Sequence, residues 1–308
     1  MLIPRWCRGW NSACGKSDNL MDSGYLRPFL ESGPFSLFSG TGVTERPDTL
    51  CAKVSEGRIA ILVDGSPYAI LLPCLFSENF QSMDDYAERP YYAVFIRLIK
   101  YLAFFLTILL PGRYVAAVNF HPELIPDQLL FRIAEAEQDM AFPLMFQALL
   151  IHFIYELMRE AGLRLPRPVG HAVSIIGALV IGDAAVTAGL ISTPMVMVVA
   201  LTTISSFVIP SLYEPVTLLR LLFILLGGTL GLYGVVLGLA FVGVNLCSVT
   251  VLGVPATSPE TPLSLYSLRD TLIRVGWRQL GQEQFIISRT AGADQNGEPA
   301  DQNGEGQP

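Results

Sequence analysis

The stretch LLFILLGGTLGLYGVVLGLAFVGVNLCSVTVLGVPATSP, residues 221–259, decides the fold class, because it runs for 39 residues without a formal charge. A second charge-free stretch, residues 184–213, covers 30 residues. A helix needs about 20 predominantly apolar residues to cross the hydrocarbon core of a bilayer. Buried helices of soluble proteins seldom sustain apolar runs of this length. The two stretches therefore predict a helical integral membrane protein.

The composition supports this prediction and excludes other classes. Only 15% of the 308 residues are charged, whereas an average soluble domain has about 25%. Mean hydropathy is +0.46. The 20 Lys and Arg residues are outnumbered by 27 Asp and Glu residues, and this net charge of −7 argues against a protein that binds phosphates through clustered basic residues. We expect membrane lipid around the chain and no nucleic acid partner.

Residues 1–90 are predicted to form a small α+β region in the cytoplasm, because they are polar and Pro and Gly residues interrupt them. The segment GRIAILVDGSPYAILLP, residues 57–73, places two β-prone runs on either side of Asp64-Gly65. This is a strong signal for a tight turn between antiparallel strands. It predicts a β-hairpin over residues 58–73.

Three further regions complete the predicted organisation. Residues 91–252 form the membrane domain, and residues 253–290 form a C-terminal cytoplasmic segment. Residues 291–308 contain the sequence ADQNGE twice. Because such a composition cannot bury a core, we predict a disordered tail.

The membrane domain is predicted to contain about four to six membrane segments, and the sequence leaves the number open. The first span covers residues 93–118, with Arg97 and Lys100 near its start, where both side chains can reach the interface. Arg113 follows Pro111-Gly112. It either faces protein or water at membrane depth, or lies beyond a span that ends at Pro111. The apolar stretch 141–155 is short enough for an interfacial or re-entrant helix.

Loop charges predict the orientation. Residues 119–139 carry five acidic residues and one arginine, and residues 159–168, expected to be a loop, carry three arginines. The excess of positive charge marks cytoplasmic loops. We therefore expect residues 159–168 in the cytoplasm and residues 119–139 outside.

Four residues within or beside apolar stretches are candidates for an ion path: Asp183, Glu156, Arg113 and Ser174. Ionisable groups at membrane depth mark ion paths more often than chance. Two alternatives stay open. Glu156 lies about one turn from Arg159 and Glu160, which is also consistent with an interfacial position. Asp183 either borders a path or forms a local hydrogen bond.

Small residues recur on one face of two predicted helices, a pattern that permits close approach of helix backbones. In the first helix they recur every four residues when Ser174 is counted with them; in the second the spacings are four, three and four. The predicted packing residues are Gly170, Ala178, Gly182, Gly227, Gly231, Gly234 and Gly238.

No motif indicates an enzyme, a metal site or a cofactor. The five cysteines and three histidines lack metal-ligand spacing, and no nucleophile–base pair is evident. Residues 9–17, GWNSACGKS, approach a phosphate-binding loop, but five residues instead of four separate the two glycines. We expect no enzymatic activity, metal or cofactor.

The stretch from Thr44 to Pro255 resembles the A-subunit family of bacterial spore germinant receptors. The resemblance is carried by TERPD at 44–48, the hairpin segment at 57–73, YLAFFLTILLPGRYVAAVNFHPELIP at 101–126, REAGLRLPRPVGHAVSIIGALVIGDAAVTAGLIS at 159–192 and ALTTISSFVIPS at 200–211. It covers about 200 contiguous residues, and REAGLRLPRPVG is especially specific.

The resemblance implies a protein of the spore inner membrane that works with a transporter-like B subunit and a lipoprotein C subunit. Such a complex responds to nutrients and starts ion release during germination, with the A subunits self-associating into an oligomeric ion channel. Family members carry a larger cytoplasmic N-terminal domain, so the resemblance also implies an N-terminally shortened chain. Two other classes stay open: a secondary transporter, for which we find no internal repeat, and a non-conducting membrane scaffold.

Overall fold

A computed structural model describes residues 23–31, 36–166, 177, 180, 182–251 and 254–258. These residues are mainly helical, with two small sheets. The chain divides into two compact units: the first contains residues up to Leu98 and those from Gly243, and the second contains Ile99–Val242. Predictions for Gly170, Ser174, Ala178 and the tail lie outside the described residues.

The first unit is built on a three-stranded antiparallel sheet of β1 (Gly42–Thr44), β2 (Ile59–Leu62) and β3 (Ala69–Leu72), in the order β1-β3-β2. Gly65 lies between β2 and β3 with φ of 82°, a conformation that glycine adopts without steric cost. Ile70 of β3 is fully buried and faces Ile61 across the pair. The strand β3 therefore forms the centre of the sheet and of its apolar core.

Short helices and a second strand pair surround this sheet. The helices are α1 (Arg27–Leu30), α2 (Pro47–Ser55) and α3 (Asp84–Ala87). The strands β4 (Thr250–Val251) and β5 (Val254–Pro255) pair antiparallel. Val251 joins the buried cluster of Leu26, Ile61, Ile70 and Leu72. Residues from both ends of the chain thus share one core.

Buried ion pairs occur within the first unit. Nζ of Lys53 lies 2.8 Å from Oε1 of Glu78, and Arg58 also pairs with Glu78. Burial raises the pKa of Glu78, but the charges of Lys53 and Arg58 outweigh it and lower that pKa to about 2. Arg97 does not extend to the surface as expected: it is fully buried, with Nε 3.5 Å from Oδ2 of Asp85. A buried guanidinium requires such an acid.

The second unit is helical. Its elements are α4 (Pro90–Phe120), which begins in the first unit, α5 (Asp127–Glu137), α6 (Leu144–Arg164), α7 (Thr193–Ser206) and α8 (Tyr213–Ser248), which ends in the first unit. Residues 182–187 are also helical. Within the described ranges, α4 and α8 are long and apolar enough to cross a membrane, and α7 is apolar but shorter. These are fewer than the four to six predicted segments.

Two predicted loops contain helix. The segment 119–139 holds the eleven residues of α5, and α6 continues through Arg164, so most of the predicted loop 159–168 that is described is helical. The extension of α6 has a local cause. Arg159 pairs with Glu156 at 3.3 Å and Arg164 with Glu160 at 2.7 Å, and pairs three or four residues apart stabilise a helix.

The helix α4 also continues through Pro111 instead of ending there. Arg113 therefore lies within a helix, and its side chain is exposed. A Cβ atom placed on the neighbouring Gly112 would lie 2.4 Å from the carbonyl oxygen of Phe223. The absence of a side chain at Gly112 thus lets α8 contact the backbone of α4.

The chain reverses direction within α8. Gly231 has φ of 64° and ψ of −150°, which is not helical. A Cβ atom on Gly238 would lie 2.9 Å from the Phe223 ring, although 15 residues of straight helix span about 22 Å. The segment therefore folds back on itself, and we call residues 213–230 its first arm and residues 232–248 its second arm.

Candidate functional site

A partly buried group of charged and aromatic side chains joins α6 to the first arm of α8. We call it the Glu156 cluster; its members are Tyr155, Glu156, Arg159, Tyr213 and Arg220. Glu156 and Arg159 are one turn apart on α6, and Tyr213 and Arg220 are two turns apart on α8. These spacings place each pair on one face of its helix.

The carboxylate of Glu156 is the centre of this cluster. The hydroxyl of Tyr213 donates to both carboxylate oxygens at 2.7 Å. Nη2 of Arg220 lies 2.6 Å from Oε1, and Nε of Arg159 lies 3.3 Å from Oε2. Three side chains thus donate to one acid, and two of them carry positive charge.

Aromatic rings cover the two arginines. The guanidinium carbon of Arg159 lies 3.4 Å from the centre of the Tyr213 ring, and that of Arg220 lies 5.9 Å from the centre of the Tyr155 ring. A cation over the face of a ring is attracted by the electron density of that face. Only 1% of the Arg220 side chain is exposed, against 22% of Glu156. Arg220 therefore depends most strongly on its partners.

The balance of charge determines what this cluster can do. One carboxylate lies between two guanidinium groups, so the three ionised groups sum to one positive charge. A cation passing nearby would not meet a free negative charge on Glu156. Nε and Nη1 of Arg220 are buried without an acceptor among the described residues. The geometry is therefore better suited to holding α6 against α8 than to attracting a cation.

The contacts of the other predicted ion-path residues differ from those of the Glu156 cluster. The Asp183 side chain is exposed, and its backbone carbonyl accepts a hydrogen bond from Thr187 at 2.7 Å. Within the part of the chain that the structure describes, no ion pair involves the carboxylate of Asp183 or the guanidinium of Arg113. Ser174 lies outside that part.

The predicted packing glycines fall into two contacts. A Cβ atom on Gly227 would lie 2.3 Å from the carbonyl oxygen of Gly112, so the first arm meets α4 there. On Gly234 and Gly238 it would lie 2.4 Å and 2.8 Å from atoms of Leu226. Gly231 is at the reversal. Gly182 has open space around it among the described residues. In the same described part of the chain, no group of three or more His, Cys, Asp or Glu side chains is arranged to hold a metal ion.

Comparison with known proteins gives the family. Residues 15–284 match the model described as the Bacillus/Clostridium GerA spore germination protein. The chain belongs to the GerA family. It is 43% identical over 289 residues to spore germination protein KA of Bacillus subtilis (strain 168), covering 92% of this chain and 53% of that protein. It is 36% identical over 261 residues to spore germination protein GerLA of Bacillus cereus, covering 84% and 53%.

A third relative is the uncharacterized membrane protein YfkQ of Bacillus subtilis (strain 168), 38% identical over 279 residues that cover 90% of this chain and 54% of that protein. The chain spans about half the length of the curated relatives it matches. No solved structure matches it. The GerA match includes every residue of the Glu156 cluster.

Sequence reasoning missed Tyr213 and Arg220. A usable signal was present for Arg220, because it is the only charged residue between Glu214 and Glu260. A single arginine in such an apolar run needs an acid from another helix. Glu156, the first charged residue after the apolar stretch 141–155, was the natural candidate. Tyr213 offered no comparable signal, since a tyrosine at the start of an apolar helix is common at membrane interfaces.

Proposed function

We propose that this chain is the membrane-embedded part of a spore germinant receptor A subunit, acting without catalysis in the inner membrane of a spore. The observation that carries the proposal is membership of the GerA family over residues 15–284. Two long apolar helices and a relative whose name includes "membrane protein" support a membrane location. The complex would respond to nutrients by releasing ions.

The reversal in α8 supports a membrane hairpin. Each arm is about 26 Å long at 1.5 Å per residue, which is close to the hydrocarbon thickness of about 30 Å. We therefore infer that the two arms cross the membrane separately and in opposite directions. The close backbone contact at Gly112 and Gly227 would hold the first arm against α4.

We propose that several copies of the chain assemble around an ion path, and that Asp183 borders it. The exposed carboxylate of Asp183 is free to act on ions in solution, because no ion pair neutralises it among the described residues. Arg113 and Ser174 remain secondary candidates. We assign Glu156 to helix packing rather than to the path, since its charge is already paired.

The proposed partners are a transporter-like B subunit and a lipoprotein C subunit. A tagged chain expressed in a sporulating host should fractionate with the spore inner membrane and co-purify both. A chain found only in the soluble fraction would contradict the membrane assignment.

Ion flux separates the proposed channel from the two alternatives. The purified chain, alone and with B and C subunits, is placed in vesicles loaded with a potassium-sensitive dye. A channel passes cations down their gradient, and Asp183→Asn should lower the flux at low salt, where surface fields are least screened. Dependence on a second solute gradient would favour a transporter, and no flux in any combination would favour a scaffold.

A further inference from the structure

Three oxygen atoms of the second unit are buried without a hydrogen-bond partner among the described residues: the hydroxyl of Tyr114, Oε1 of Glu137 and Oγ of Ser192. They come from three elements. Tyr114 lies in α4, Glu137 is the last residue of α5, and Ser192 directly precedes α7. Buried polar atoms in native proteins nearly always have a partner, so this group calls for an explanation.

The fully buried side chain of Gln147 links these elements. Its Nε2 donates to Oε2 of Glu137 at 2.8 Å and to the carbonyl oxygen of Phe142 at 2.8 Å. Its Oε1 accepts from the backbone N–H of Ser192 at 2.9 Å. Glu137 and Ser192 are therefore bound to the two ends of one amide group, which fixes them close together.

Tyr114 belongs to the same region. Its side chain packs on an apolar cluster that includes Leu144 and Ile191, the residue before Ser192. Glu137 and Ser192 are thus linked through Gln147, and Tyr114 packs on the apolar cluster that contains Ala148 and Ile191, the residues next to Gln147 and Ser192.

The charge of Glu137 is unbalanced there. No Lys, Arg or His forms an ion pair with Glu137 within the described ranges; Arg132, the basic residue of α5, pairs instead with the exposed Glu135 at 3.5 Å. Transferring an ionised carboxylate oxygen from water to a buried site is costly unless a positive charge or hydrogen bond compensates it. Among the residues that the structure describes, only one such bond to Glu137 is present, from Gln147 to Oε2.

We propose that Oε1 of Glu137 and the hydroxyl oxygens of Tyr114 and Ser192 bind one monovalent alkali cation. Oxygen ligands suit hard cations, and hydroxyl groups can turn a lone pair towards an ion. A single carboxylate balances a single positive charge, whereas a divalent ion would leave an uncompensated charge in a buried site. The bound ion would hold α4, α5 and α7 together, whether or not the chain conducts ions.

The test uses the whole purified chain in detergent micelles. LiCl, NaCl, KCl and RbCl each replace choline chloride at constant ionic strength, while Tm and the binding of ²²Na⁺ or ⁸⁶Rb⁺ are measured. A ligand that binds only the folded state raises Tm in proportion to the logarithm of its concentration once that concentration exceeds the dissociation constant. We expect at least one alkali cation to raise Tm by several degrees, with about one ion bound per chain, a stoichiometry that follows from the single uncompensated charge.

Matched variants connect this effect to the site. Glu137→Gln keeps an acceptor for Gln147 but removes the charge, and it should abolish both the rise in Tm and the ion binding. Glu135→Gln, at an exposed position on the same helix, should leave both unchanged. Ser192→Ala and Tyr114→Phe each remove one ligand oxygen and should weaken the apparent affinity about tenfold.

Several results would overturn the proposal. Equal Tm values in choline and in every alkali chloride, without ion binding, would show that a water molecule or a proton satisfies Glu137. A cation effect that persists in Glu137→Gln would locate it elsewhere, and a Glu137-dependent effect of Ca²⁺ or Mg²⁺ alone would exclude a monovalent site. Should Glu137→Gln fail to fold, unchanged affinity in both hydroxyl variants would refute the assignment.

Discussion

Glu78 in the first unit and Glu156 in the second unit each lie between two basic side chains, yet the surroundings that hold them differ. Glu78 pairs with Lys53 and Arg58, and its Oε2 also accepts the backbone N–H of Leu75 at 3.1 Å. Glu156 accepts only from side chains among the described residues, namely Tyr213, Arg220 and Arg159.

The separation along the chain explains the difference. The partners of Glu78 are 25 and 20 residues away, and the hairpin of β2 and β3 connects them to it along the chain. Tyr213 and Arg220 are 57 and 64 residues from Glu156, on another helix. The first group is therefore held by a sheet and a tight turn, whereas the second exists only where two apolar helices pack. Substitution or protonation of Glu78 and of Glu156 should consequently change the stability of the chain by different amounts.

The largest effect is expected from Glu156→Gln. Arg220 would lose its acid while remaining 1% exposed, and an uncompensated buried charge costs about 3–5 kcal/mol. Unfolding of the purified chain in detergent measures the loss. The control is Glu160→Gln, whose pair with Arg164 is exposed and should be worth less than about 1 kcal/mol.

A double variant tests the cause of that loss. Glu156→Leu with Arg220→Met removes both buried charges, and it should be more stable than Glu156→Gln, because apolar side chains of similar size replace a buried ion pair at little cost. A double variant as unstable as the single one would show that Glu156 acts through something other than Arg220.

Acid should affect the first unit through Glu78. Its pKa is about 2 in the folded chain, below the ordinary value of 4.5. The folded state thus binds fewer protons than the unfolded state between these values, so its stability is complete above pH 4.5 and falls as the pH drops towards 2. The loss should reach about 3 kcal/mol at most. Glu78→Gln should flatten this part of the pH profile; an unchanged profile would contradict the assignment.

Gly227→Ala should weaken the second unit by about 1–3 kcal/mol, because the new Cβ would lie 2.3 Å from a backbone oxygen of α4. Gly243→Ala is the matched control in the same helix. It has open space among the described residues and should stabilise the helix by about 0.5–1 kcal/mol. Equal effects of the two substitutions on Tm would argue against the close contact of α4 with α8.

The last test asks which side of the membrane two segments face, and its substitutions should leave the stability of the chain unchanged. In a chain whose native cysteines are replaced by serine, a cysteine at Asp127 should react with an impermeant reagent added to intact cells, and one at Leu163 should not, because arginines near Leu163 favour the cytoplasm. Both positions are exposed. The reverse labelling would place the Arg159 end of the Glu156 cluster outside.

Much of the fold could be predicted from local patterns. The apolar runs predict membrane helices, since about 20 such residues are enough to cross a bilayer. The Asp64-Gly65 turn predicts the pairing of β2 with β3, since flanking β-prone runs and a residue suited to positive φ lie within one window. The helical residues 159–164 were missed because arginines and a following proline resemble a loop, whereas two ion pairs along the helix stabilise it.

The sequence alone determined the mainly helical character, the hairpin and the family, because each depends on a residue pattern that can be read without knowing what packs against it. Only the tertiary structure decided that α8 reverses at Gly231, since evenly spaced glycines suit a straight helix and a folded one equally well. It also decided that Glu156 meets Arg220 and that Gly112 meets Gly227. Contacts of this kind depend on which helix surfaces come together: the sequence indicates that Arg220 needs an acid and offers Glu156 as a candidate, but it does not fix the helix packing that joins the two.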